Sequence, residues 1–149
     1  HFKNKEDIIV LLLNVLVDDF RTRLPLVIKE SQTATENLRA VFDSQFAFFQ
    51  QNPHFTVAIL SEGLIDESEE IMQAMIKIPQ VKTFFLMQII EQGKANNEFR
   101  TDIPSEVLIE IIAGTFRLQM LKWKFSRFQL DLKKEGNKMI DYVLKLISV

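Results

Sequence analysis

The chain has no cysteine, two histidines, one tryptophan, one tyrosine, four glycines and four prolines in 149 residues. Each scarcity removes a class of function. Without cysteine there is no disulfide framework, thiol nucleophile or thiolate metal site, which fits a reducing cytoplasm. His1 and His54 cannot supply a His-x-x-x-His pair, and no Gly-x-Ser-x-Gly occurs, so neither zinc hydrolysis nor a serine nucleophile has its residues. Glycines at 63, 93, 114 and 136 form neither a phosphate-binding loop nor a dinucleotide fingerprint. Enzymatic activity, a cofactor and a metal are therefore not expected. A net charge of −2 gives no basic face with which to displace counterions from nucleic acid. The longest apolar run, Ile8 to Val17, is broken by Asn14 and falls short of the roughly 20 residues that a membrane-spanning helix needs.

What remains is 47% hydrophobic and rich in leucine, isoleucine, phenylalanine, glutamate and lysine, with little material for turns. The class expected is all-α, an antiparallel bundle of about six helices in one domain. A first helix starts near Lys5, with Asn4 as cap and Glu6 and Asp7 where a helix N-terminus favours negative charge, and runs past Phe20 until Pro25 disturbs it. Thr33 and Glu36 have capping-box spacing, and the helix they start carries Leu38, Phe42, Phe46 and Phe49. Pro53 suits a first helical position, so His54 to Glu62 forms a short helix stopped by Gly63. Asp66 to Glu70 reads as an acidic helix cap leading into Ile71 to Lys77. Ile78-Pro79 reads as a break, with a further helix from Gln80 to Asn96.

Of the two closing helices, Pro104 to Phe125 carries apolar residues on nearly every side, and Asp131 to Val149 supplies a second broad apolar stripe. A helix that is apolar all round must be covered all round, and a homodimer supplies the missing cover. Ile112, Leu121, Trp123, Met139, Ile140, Val143 and Ile147 are the interface candidates, with the mid-helix Gly114 and Gly136 marking a close crossing.

Two segments carry a resemblance. His1-Phe2-x-x-Lys5-Glu6-x-Ile8 resembles the junction in the tetracycline-repressor (TetR) family of bacterial transcription factors, where a helix-turn-helix ends and the regulatory domain begins. Glu91-x-Gly93, followed by Asn97-Glu98-Phe99-Arg100-x-Asp102, resembles a second family segment, with Asn97 where a glycine is common. Asn is an adequate substitute because it also adopts the left-handed conformation. The resemblance spans nearly the whole chain. It implies that residues 1–4 are the remnant of the DNA-binding domain and that 5–149 form a ligand-binding and dimerisation domain whose last two helices build a dimeric four-helix bundle. Operator DNA would then be bound only through the absent N-terminal domain, with His1 and Lys5 near its backbone in the intact protein.

A regulator of this kind, most simply a repressor, is released from DNA by a hydrophobic small-molecule effector. Thirteen phenylalanines provide material for both core and cavity, and methionine suits a pocket that adapts to its contents. The candidate ligand-binding residues are Asn14, Phe46, Phe49, Phe84, Met87, Gln88, Phe116, Arg117 and Met120. The polar ones interrupt apolar helices, where an unpaired group costs about 1 to 3 kcal/mol. Arg117 is read as a partner for an acidic effector headgroup, for a helix carboxylate such as Glu110, or for solvent. A stand-alone helical carrier of fatty acid-like ligands and a helical dimeric scaffold are the alternatives: the first needs no twofold interface, the second no cavity.

Overall fold

The computed structural model describes residues 4–60 and 68–149, which form six helices joined by short turns. Helix α1 is Lys5–Val27, α2 Ala34–Gln51, α3 Pro53–Leu60, α4 Glu69–Ala95, α5 Ser105–Phe125 and α6 Leu132–Ile147. Among the described residues the β-structure amounts to one isolated bridge, Phe99 to Ser148.

The helix starts follow from local hydrogen-bonding chemistry. Asn4 Oδ1 accepts the amide of Asp7 at 3.1 Å, and Thr33 Oγ1 accepts that of Glu36 at 3.1 Å. The Thr33 hydroxyl in turn donates to the Glu36 carboxylate, which closes the capping box through side chains. Ser68 and Asp131 cap α4 and α6 in the same way, with Glu69 and Glu70 in the first turn of α4. The expected stop of α3 at Gly63 lies outside the described residues.

Neither internal proline ends its helix, which corrects two expected boundaries. Pro25 falls in the last turn of α1 on its exposed side, so losing one hydrogen bond to the carbonyl four residues back does not prevent continuation to Val27. Pro79 sits in the middle of α4, and the helix passes through it as a single element of 27 residues. Buried Ile71, Ala74 and Ile78 before the proline and Val81, Phe85 and Leu86 after it lie on one continuous face. Packing of that face on both sides overrides the local preference of the residue before a proline.

Helix α1 packs on α4, α2 on α6, and α5 lies between α4 and α6, with α3 closing one end against α1, α2 and α5. The α2/α6 crossing is made possible by Gly136, where a Cβ would stand 2.5 Å from the Phe46 ring. Gly114 is different, because nothing in the chain lies within 4 Å of where its Cβ would be.

The opposite end is tied together by polar contacts. Asn97 adopts φ 58°, as a left-handed residue after a helix should, and the next residue points its carboxylate at α2. Glu98 accepts the amides of Ala34 at 3.0 Å and Thr35 at 3.2 Å. The chain on either side pairs with the end of α6, through Arg100 N to Ile147 O at 2.8 Å and Val149 N to Glu98 O at 3.0 Å. Buried Asn37 joins the segment after α1 to α4, bonding Lys29 N and O and the side chain of Gln92.

Candidate functional site

Between α2, α3, α4 and α5 the helices leave a cavity of about 390 Å³. From α2 it is walled by Val41, Phe42 and Gln45, from α5 by Ile109, Ala113, Phe116, Arg117 and Met120, and from α1 by Leu24. The longest wall is α4, whose Met72, Met75, Ile76, Pro79, Lys82, Thr83 and Leu86 recur at three- and four-residue intervals along one face. Pro79 has no amide to offer the carbonyl of Met75, so the backbone ladder is interrupted where α4 borders the space. The lining is overwhelmingly apolar, with a few polar groups that could orient a guest.

Those polar groups differ in how they are satisfied. Gln45 is buried, and its Oε1 accepts from Arg23 Nη2 at 2.6 Å. Arg23 is itself held by Asp19 at 2.9 Å and lies over the Phe48 ring, so this end of the wall is a closed network. Lys82 is half-buried, with its ammonium 4.2 Å from the centroid of the Phe116 ring and 5.6 Å from that of Phe20. Among the described residues no carboxylate forms a salt bridge with it and none of its contacts is a hydrogen bond. Burial, followed by the neighbouring positive charge of Arg117, lowers its pKa to about 8.

Of the nine residues expected to bind a ligand, Phe116, Arg117 and Met120 line this cavity. Phe46 and Phe49 are buried but turned away: Phe46 stacks behind Phe116 at 5.3 Å and fills the space over Gly136, while Phe49 meets Phe20 edge-on. Phe84 is 60% exposed and Gln88 is exposed too, because they lie off the α4 face that carries Lys82 and Leu86. Met87 and Asn14 are half-buried outside the lining. Sequence reasoning missed Lys82 and Gln45. Taking α4 as one helix is the signal that finds Lys82, since only then do residues 72 to 86 form a single stripe that a cation interrupts.

The expected interface residues sit mainly inside the subunit. Ile112, Trp123, Ile140, Val143 and Ile147 are buried by their own chain, and Leu121 and Met139 are partly so. Along α5 the apolar side chains left in solvent are Val107, Ile111, Leu118 and Phe125, and along α6 and the residues after it Tyr142, Leu146 and Val149; others lie on α1, α3 and α4. On α5 they follow helical spacing, with Gly114 in the middle of the stripe. Lys5 is exposed, and His1 lies outside the described residues. Among the described residues no helix is long and apolar enough to cross a membrane.

Comparison with known proteins places this architecture. A TetR-type C-terminal profile described as "YsiA-like protein, C-terminal region" matches residues 12–147. The fatty acid metabolism regulator protein of Bacillus subtilis (strain 168) is 24% identical over 144 residues, 97% of this chain and 74% of that protein. The crystal structure of the transcriptional regulator FadR from B. subtilis in complex with stearoyl-CoA superposes with a TM-score of 0.82 at 25% identity, over 96% of this chain and 76% of that one. The ketosteroid transcriptional regulator KstR2 of Mycobacterium tuberculosis gives a TM-score of 0.81 at 18% identity, over 100% and 76%. At that identity the second likeness speaks for the fold alone.

Proposed function

We infer the working of this domain from the premise that the chain belongs to the TetR-type family of YsiA-like C-terminal regions. It is the effector-sensing part of a transcriptional regulator and not an enzyme. The ligand we propose is a small molecule with a long apolar body, of the fatty acyl class that the B. subtilis relative holds as stearoyl-CoA. The observation that carries this reading is the cavity, about 390 Å³ walled by aliphatic, methionine and phenylalanine side chains. That volume lies toward the low end of the roughly 300 to 1,000 Å³ typical of ligand pockets, enough for an acyl chain and little more.

A guest there touches α1, α2, α3, α4 and α5 at once, so it favours the helix arrangement that makes room for it. Helix α1 connects the cavity wall at Leu24 with the chain's start at Lys5. In the intact protein, repositioning of that helix would move each DNA-binding domain relative to its twofold mate and release the operator. The same logic assigns residues 5–149 to ligand binding and dimerisation. The mate would cover the α5 stripe of Ile111, Leu118 and Phe125 together with Tyr142 and Leu146, its backbone approaching at Gly114.

Thermal-shift titration of the 149-residue chain with stearoyl-CoA and with free long-chain acids tests the cavity assignment. Binding raises Tm by several degrees at saturating ligand. Ala113→Trp, which fills the cavity from α5, removes the shift. An unchanged Tm with every such ligand refutes the reading.

A further inference from the structure

We propose that Lys82, with Arg117 beside it, anchors an ionised carboxylate inside the cavity, so that the ligand of this domain is a free carboxylic acid with an apolar body. The inference rests on the cavity reading above and narrows it to one headgroup. Lys82 projects from the α4 wall into a space otherwise lined on that helix by methionine, isoleucine, proline, threonine, phenylalanine and leucine. Its ammonium is held against two aromatic faces, a contact that attracts a cation without hydrogen-bonding it. Its N–H donors thus face the apolar lining with no acceptor among the described residues. Arg117 lines the same cavity from α5, close enough that its positive charge disfavours the charged form of Lys82. A carboxylate answers both conditions: it accepts charge-assisted hydrogen bonds from Lys82 and relieves the repulsion between Lys82 and Arg117.

The space also argues against other headgroups. An uncharged alcohol or sterol leaves the Lys82 ammonium unneutralised. A coenzyme A thioester is neutral at the acyl carbonyl, and its nucleotide is too large to share about 390 Å³ with an acyl chain. The lowered pKa of Lys82 is what an ammonium shows when it is enclosed before its counter-ion arrives.

Isothermal titration of the chain at pH 7 with dodecanoic acid, dodecan-1-ol and dodecanoyl-coenzyme A, on the wild type and on Lys82→Met and Lys82→Arg, separates the possibilities. The wild type is expected to bind the acid at least tenfold tighter than the alcohol. Lys82→Met abolishes that preference while its far-UV circular dichroism and cooperative thermal unfolding show that the variant is folded, and Lys82→Arg retains it. Equal affinity for acid and alcohol, or an acid affinity indifferent to Lys82→Met, overturns the proposal and leaves the apolar-ligand reading standing. So does tight binding of the thioester that Lys82→Met does not change. Failure of all three probes to bind the wild type overturns both.

Discussion

Lys82 illustrates how a residue can serve binding at the expense of folding. Its pKa falls from 10.5 to about 8 on folding, so between those values the unfolded chain binds more protons than the folded one. Stability therefore rises with pH through that window, and below about pH 8 the full penalty for enclosing the charge applies. Lys82→Met removes it. The variant is expected to be more stable than the wild type by about 1 to 3 kcal/mol at pH 7, with the difference disappearing above pH 10.5, as urea unfolding at the two pH values would reveal. Gly136 acts in the opposite direction. A methyl group there meets the Phe46 ring, itself fully buried, so Gly136→Ala is expected to destabilise by about 1 to 3 kcal/mol despite its better helix propensity. A Tm at or above that of the wild type would contradict this packing.

Helix α4 holds most of the cavity wall and was also the element least legible in the sequence. The caps at Asn4 and Thr33 were readable because one short side chain and one nearby amide decide them. Pro79 was not, because its local rule favours a break while the outcome was decided by buried residues on both sides, several of them distant in sequence from what they touch. Treating Ile78-Pro79 as a boundary destroyed the register that joins Met72 to Leu86, and with it the view of Lys82 as a member of the wall. A helix that begins at Gln80 points instead to Phe84, Met87 and Gln88, which lie off the cavity face. Phe116, Arg117 and Met120 could be singled out because α5 has no such interruption. Pro79→Ala restores an amide for the Met75 carbonyl and is expected to stabilise the fold by about 1 to 3 kcal/mol. Urea unfolding measures this directly, and a destabilised variant would show that the proline shapes the wall favourably.

At the scale of the whole molecule, the sequence announced that α5 and α6 need covering on more than one side, and the structure leaves a stripe uncovered. Which residues face inward was beyond a single sequence, since Ile111 and Ile112 are chemically equal and about 100° apart around the helix. The chain's own core takes Ile112, leaving Ile111, Leu118 and Phe125 outside, the last 77% exposed. Leu118→Glu is expected to convert a sedimenting dimer to a monomer with little change in monomer helicity. Gly114→Ala, open within the subunit, adds about 0.5 to 1 kcal/mol of helix propensity yet weakens self-association. Dimers that survive Leu118→Glu in sedimentation velocity would exclude this face.

The contacts of Asn37 and Glu98 fix the far end of the bundle, and with it the end of α1 near Val27. In the proposed switch that end serves as the fulcrum. A helix of 23 residues is about 35 Å long, so a tilt of about 5° carries its Lys5 tip through about 3 Å. Leu24, where the guest would press, lies close to the pivot, so a displacement of well under an ångström at the cavity suffices for such leverage.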